Sequence, residues 1–267
     1  MKTNQLQAPV DLINEYCRVG KWQCNELDPE SLRFMGFHVL PAFIETQTVH
    51  QLLKKFESNE GLTPIAHHPT RVSCDKHWLD LLLEQDAYIN LLKSGVFFDG
   101  DVAADLPYIF RKNSEANSRV HLHNDLDYQM GAHDRYSLFL ALTEANPSNG
   151  GLRLYPSTHH FGSLGDCGEL NPDVLPAGYP MVETAMSPGD LLIMHSGIWH
   201  SSGVSQTDEP RIYLELHIKP SICPTAKFPL FGAPTGLFQN HCSTDDLFSS
   251  SRQQKLQKFY RAASSDG

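Results

Sequence analysis

The chain has no C-x-x-C pair; its six cysteines stand alone at 17, 24, 74, 167, 223 and 242. A structural zinc site needs clustered thiolates, so that class is set aside. The six are expected to be reduced thiols packed as small, partly buried residues. There is no Lys/Arg cluster either, and the formal net charge is −10. Nucleic-acid binders, and proteins drawn to anionic lipid, show a basic stripe, so neither partner is expected. No apolar run approaches the roughly 20 residues of a bilayer span; YSLFLAL at 136–142 is far too short. The N-terminal MKTNQLQAPVDLINEY has no apolar h-region. No secretory signal is therefore expected, and a cytoplasmic location is.

What is present is a globular composition. Hydrophobic residues are 40% and charged residues 19% of the 267, within the range of single large β domains. The first stretch predicts helices over 10–18, over 46–56 with Thr46 or Thr48 as cap, and over 78–94, with a strand at 36–44. After residue 105 strand-like runs dominate, at 107–111, 118–123, 136–143, 151–155, 181–186, 190–195, 198–202 and 211–218, with turns at NPSNGG, SPGD and TDEP. The expected architecture is mainly β with flanking α-helices around a jelly-roll core, the double-stranded β-helix. It is read as one domain, 1–267, with a helical part over 1–100, the core over 101–220 and an extension over 221–267 that ends in a helix at 251–262.

One strand carries unusual content. In RIYLELHI, Ile212, Leu214, Leu216 and Ile218 share one face, and Arg211, Tyr213, Glu215 and His217 share the other. The second face is either solvent-exposed or lines a polar interior. A second segment, HLHNDLDY at 121–128, contains His123 and Asp125. Two apart on an extended chain, they point to the same side and can grip one metal. His200, in PGDLLIMHSGIWHSSG, supplies a third ligand. Two imidazoles and a carboxylate on one face of iron(II) leave positions open for a cosubstrate and oxygen. Arg211 follows His200 by eleven residues, past the TDEP turn, so the two are expected on neighbouring strands. Its planar fork suits a carboxylate such as the distal one of 2-oxoglutarate. Ser202 shares the His200 face and offers a hydroxyl to the same group.

These segments together resemble the phytanoyl-CoA dioxygenase family of iron(II)/2-oxoglutarate oxygenases over roughly residues 33–220. The family's H-x-D-x-x-Y motif is similar to His123, Asp125 and Tyr128, with Leu122 where the family has tryptophan. Its central G-x-L-R-x-x-P-x-S/T-H is similar to GGLRLYPSTHH, and its closing P-G-D, H-x-S-G and arginine to Pro188, Gly189, Asp190, His200, Ser202, Gly203 and Arg211. The resemblance implies iron held by His123, Asp125 and His200, and 2-oxoglutarate held by Arg211 and Ser202. It adds a polar or basic group from the preceding strand, for which Arg111 and Lys112 are the nearest choices, although both also read as surface charges. Tyr128 is read as facing the substrate or as a packed ring.

The implied activity is hydroxylation of a small organic molecule (an amino acid, natural product, lipid or sugar derivative), with dioxygen consumed and succinate and CO2 released. Asp125 occupies the position that halogenating relatives leave small, which favours hydroxylation, desaturation or epoxidation. Coenzyme A is not expected in the substrate, since no basic cluster is there to meet its phosphates. The loop 162–180 and the apolar stretch 228–238 are the expected pocket covers. Two alternatives stand: a cupin-type metalloenzyme using His121 with His123 and no 2-oxoglutarate, and a metal-binding barrel without catalysis.

Overall fold

The computed structural model describes residues 8–65, 70–113, 117, 119–126, 134–162, 169–221, 223 and 228–229. Tyr128, residues 163–168 of the expected pocket loop, most of 228–238, Cys167, Cys242 and the predicted helix 251–262 lie outside them. The described cysteines Cys17, Cys24 and Cys74 form no disulfide.

The helices are α1 (Val10–Val19), α2 (Pro29–Met35), α3 (Thr46–Glu57), α4 (Lys76–Leu83) and α5 (Asp86–Lys93). α2 is too short to show apolar periodicity, and its ends define it instead. The Asp28 side chain accepts from Glu30 N, Pro29 opens the first turn and Gly36 closes the helix at φ 81°. Thr46 is the first residue of α3 rather than its cap, and Glu45 precedes it without a side-chain cap bond. The single helix expected over 78–94 is two. Trp78, Leu79 and Leu82 are buried in α4, and Tyr88, Leu91 and Leu92 in α5. In one continuous helix these two triads would face about 130° apart at 100° per residue. The break at Gln85, with φ −86° and ψ 118°, lets both reach one core.

In chain order the strands are β1 (Phe37–Leu40), β2 (Leu62–Pro64), β3 (Arg71–Cys74), β4 (Val102–Ala104), β5 (Tyr108–Lys112), β6 (Val120–His123) and β7 (Tyr136–Ala141). Then come β8 (Leu152–Tyr155), β9 (Val182–Glu183), β10 (Leu191–His195), β11 (Trp199–Ser202), β12 (Arg211–Pro220) and β13 (Phe228–Pro229). They form two antiparallel sheets. The larger runs β1-β10-β7-β12-β5-β3-β2, with β4 pairing β12 and β13; the smaller runs β6-β11-β8-β9. The strand expected over 36–44 stops at Leu40, because Pro41 and Ala42 turn the chain, with Ala42 at φ 48° donating its N–H to Asp190 Oδ1 at 2.8 Å. The expected division into a helical part and a later β core is also corrected. β1, β2 and β3 come from the first hundred residues and join the larger sheet.

β12 shows how the layers are built. Its residues Ile212, Leu214, Leu216 and Ile218 pack into a core with Trp78, Leu79, Leu82 and Tyr88, so one face of the larger sheet is covered by helices. Tyr213, on the other face, packs with Phe139 and Ala141 against Leu152, Leu154 and Val182 of the smaller sheet. The second face of RIYLELHI is therefore interior, and Arg211, Glu215 and His217 are buried on it. That interior face, looking across at the smaller sheet, is where the polar residues gather.

Leu214 is 0% exposed and pairs with Ile109 on one side and Leu140 on the other. Leu214→Ala should cost about 2–5 kcal/mol in urea unfolding, while Val19→Ala, 53% exposed, should stay within about 0.5 kcal/mol. Equal effects at the two sites would contradict this layering.

Candidate metal centre

β6 and β11 are neighbours in the smaller sheet, and His123 stands opposite His200 in their register. The two rings lie 4.2 Å apart between centroids. His123 Nδ1 donates to the His121 carbonyl at 2.7 Å, and His200 Nδ1 to the Ile198 carbonyl at 3.0 Å. A carbonyl can only accept, so each Nδ1 carries the hydrogen and each Nε2 keeps its lone pair. Both lone pairs converge on Asp125, whose Oδ1 is 3.5 Å from His123 Nε2 and 3.8 Å from His200 Nε2. Asp125 sits in the bend after β6, held by its N–H to the Ser196 carbonyl at 2.8 Å. One ligand atom from each of the three lies within 4.8 Å of the others, the only such group among the described residues.

The electrostatics match the geometry. Burial alone would raise the Asp125 carboxyl, but the His200 and His123 imidazoles hold it well below the usual carboxylate range. Burial and the neighbouring His123 lower His200, and Asp125 offsets this only in part. For His123, burial works downward, yet the hydrogen bond and charge of Asp125 leave it raised. The result is a permanent anion between two imidazoles.

Beside this group lies a second feature. Lys112 on β5 and Arg211 on β12 are register partners, 1% and 4% exposed. Lys112 Nζ donates to Ser202 Oγ at 2.8 Å and to the Gly203 carbonyl at 2.5 Å. Arg211 donates to the Gly150 carbonyl and stacks on Tyr213 with Cζ 4.7 Å from the ring centroid, while its Nε has no hydrogen-bond partner among the described residues. Among the described residues neither cation has a carboxylate partner. Burial, and then the Arg211 charge, push the Lys112 ammonium down to about 8. Gly150, at φ 78°, lets the chain pass this close. A Cβ there would come within 2.8 Å of Lys112 Cδ and of the Gly203 carbonyl oxygen.

His123, Asp125 and His200 are thus brought together, and Arg211 and Ser202 join through Lys112. The expected hairpin between His200 and Arg211 does not exist. β11 pairs with β6 and β8, and β12 with β4, β5 and β7, so residues 203–210 carry the chain from one sheet to the other. Of the two choices on β5, Arg111 is exposed and Lys112 is buried in the cradle. His121 is turned outward, 3.1 Å from Glu169. His159 is half-buried between His160 and His195, its Nε2 2.9 Å from the Arg33 carbonyl oxygen.

The family profile described as Phytanoyl-CoA dioxygenase (PhyH) matches residues 33–213. A curated relative, "Dioxygenase andF" from Emericella variicolor, is 38% identical over 72 residues, 27% of this chain and 22% of its own. The match thus spans about a fifth of that relative. The solved structure of the non-heme monooxygenase ThoJ, in its apo form, has a TM-score of 0.64 at 21% identity over 89% of this chain and 95% of its own. The epimerase SnoN, in complex with Fe3+, alpha ketoglutarate and nogalamycin RO, has a TM-score of 0.56 at 16% identity over 77% of this chain and 86% of its own. At these identities the likeness shows a shared fold.

Lys112 yields a test that needs no ligand. A lysine whose folded value is lowered to about 8 binds its proton less readily folded than unfolded. Stability therefore rises with pH between that value and the ordinary lysine range. Relative to Lys112→Met, the wild type should gain on the order of 1 kcal/mol between pH 7 and pH 9. Urea unfolding of both proteins at the two pH values measures it, and a difference that does not change with pH would show that the ammonium is solvated.

Proposed function

The chain belongs to the phytanoyl-CoA dioxygenase family, and we propose that it is an iron(II)/2-oxoglutarate-dependent oxygenase that hydroxylates a small organic molecule. One observation carries this reading: a His–Asp–His group stands beside two buried cations that have no carboxylate partner among the described residues. The first suits a divalent ion and the second a dianion.

In this reading His123, Asp125 and His200 hold iron(II) through Nε2, one carboxylate oxygen and Nε2. Arg211 and Lys112 neutralise the distal carboxylate of 2-oxoglutarate, and Ser202 keeps the Lys112 ammonium aimed at it. The bound ion, with dioxygen and 2-oxoglutarate, supplies the oxidation that yields succinate, CO2 and a hydroxylated C–H. The chain contributes orientation and exclusion of water. Both imidazoles are fixed by backbone carbonyls, and the cations sit in an interior where their charges are poorly screened. Asp125 fills the position a halide would need, which favours hydroxylation over halogenation. The fold is shared by proteins named as a monooxygenase and an epimerase, so the outcome of the oxidation is part of the proposal. The cupin-type alternative needs His121 at the ion, and that side chain instead meets Glu169. A non-catalytic barrel gives no role to the paired cations.

Purified protein should bind one iron(II) per chain by metal analysis, and His123→Ala, Asp125→Ala and His200→Ala should each lose it. Normal iron in all three variants would end the assignment. Arg211→Ala should weaken 2-oxoglutarate about a hundredfold or more, since breaking a buried charged pair costs about 3–5 kcal/mol. Arg211→Lys should weaken it less, because charge remains where the fork is lost. Unchanged 2-oxoglutarate affinity in Arg211→Ala would contradict the cosubstrate assignment.

A further inference from the structure

The inner face of β12 carries another polar group that neither the ion nor the cosubstrate uses. Glu215 and His217 are 2% and 7% exposed. His217 Nε2 and Glu215 Oε1 are hydrogen-bonded at 2.6 Å. Glu215 Oε2 is buried and has no hydrogen-bond partner among the described residues. Ser137 on β7 stands opposite His217 in register, and its buried Oγ also has none. A lone buried acceptor costs more than an average hydrogen bond contributes, so two unmet polar atoms on one face mark a place for a ligand.

Aromatic rings border the pair, with the Arg71 guanidinium stacked on one of them. Tyr108 on β5 and Phe139 on β7 flank Glu215 in register, and the Tyr108 ring lies 6.1 Å from His217. Apolar walls around a few convergent polar atoms are what small-molecule sites share. The pair also faces the candidate metal centre: the Glu215 charge acts on His123 and His200, and His217 acts on Asp125. Four residues along β12 separate Glu215 from Arg211, about 13 Å at 3.3 Å per residue. The acid pair and the cation pair therefore occupy different stretches of the same face.

We infer that Glu215, with His217 and Ser137, is the polar anchor of the substrate site and binds a neutral hydroxyl group of the substrate. The inference rests on the iron/2-oxoglutarate reading. The hydroxyl donates to Glu215 Oε2 and accepts from Ser137 Oγ, which satisfies both atoms at once. Charge selects the alcohol over an amine. A divalent ion, the Asp125 carboxylate, a dianionic cosubstrate, Lys112 and Arg211 leave one net positive charge, and Arg71, with its guanidinium 3.8 Å from the Tyr108 ring, adds another. Glu215 offsets part of this, and an ammonium would add to the surplus in a poorly screened interior.

The test uses protein loaded with iron(II) and 2-oxoglutarate without oxygen, so that binding is read and turnover is not. The probes are matched triplets on several small carbon skeletons: an alcohol, its deoxy counterpart and its amine. Ligand affinities come from thermal shift, with 2-oxoglutarate affinity measured alongside. Alcohols should bind in preference to both counterparts. Glu215→Gln should weaken them roughly 10- to 100-fold, because the amide keeps its oxygen on His217 and turns its NH2 to the ligand. Ser137→Ala should weaken them by a smaller factor, and it serves as the second variant if Glu215→Gln does not fold. Unchanged alcohol affinity in both variants, preference for amines or deoxy compounds, or no binding across the panel would each overturn the anchor. A wild type that takes up neither iron nor 2-oxoglutarate removes the premise itself, and the inference with it.

Discussion

Two like charges buried side by side, Lys112 and Arg211 in direct register, are the constraint around which the interior is arranged. Desolvating each costs several kcal/mol, and their mutual repulsion adds to it. What is set against that cost is local and specific: Ser202 Oγ and the carbonyls of Gly203 and Gly150 accept from them, and the Tyr213 ring lies under the guanidinium. None of these partners carries a negative charge. The arrangement is complete only with an anion, and an anion placed there lies beside a carboxylate and two imidazoles arranged for a cation.

The two sheets divide the work. The smaller one presents His123 and His200 from adjacent strands, with Asp125 just beyond, and the larger presents Lys112, Arg211 and Glu215. Groups on paired strands hold their spacing better than groups on loops, which is what a site assembled from both sides of an interior needs. The Lys112–Ser202 contact ties the sheets together at the point where the candidate ion and anion sites meet.

Much of this was legible in the sequence, for identifiable reasons. His123 and Asp125 are local, and a two-residue spacing on a strand needs no tertiary information. The alternation in RIYLELHI separated an apolar face from a polar one before any packing was known, and left open whether the polar face met solvent or an interior. Lys112 was legible only as one of two choices: one cation on a strand reads as solvated until its partner strand is known, and Arg111 beside it is solvated. The path from His200 to Arg211 was read as a hairpin because a short polar turn between strands fits one. A two-sheet fold offers a second solution, crossing to the opposite sheet, that local spacing does not distinguish. β2, β3 and β4 were missed because three or four residues are too few to show alternation, and the break between α4 and α5 because both halves are apolar at helical spacing.

The central claim is that one divalent ion and one dianion share this interior. Titration calorimetry of 2-oxoglutarate into iron-free and iron(II)-loaded protein, without oxygen, tests it most directly. The account predicts one 2-oxoglutarate per chain, bound more tightly when the ion is present, with the same coupling factor when iron(II) is titrated with and without 2-oxoglutarate. An iron-loaded protein that binds no 2-oxoglutarate, or binds it with an affinity indifferent to the ion, would contradict it.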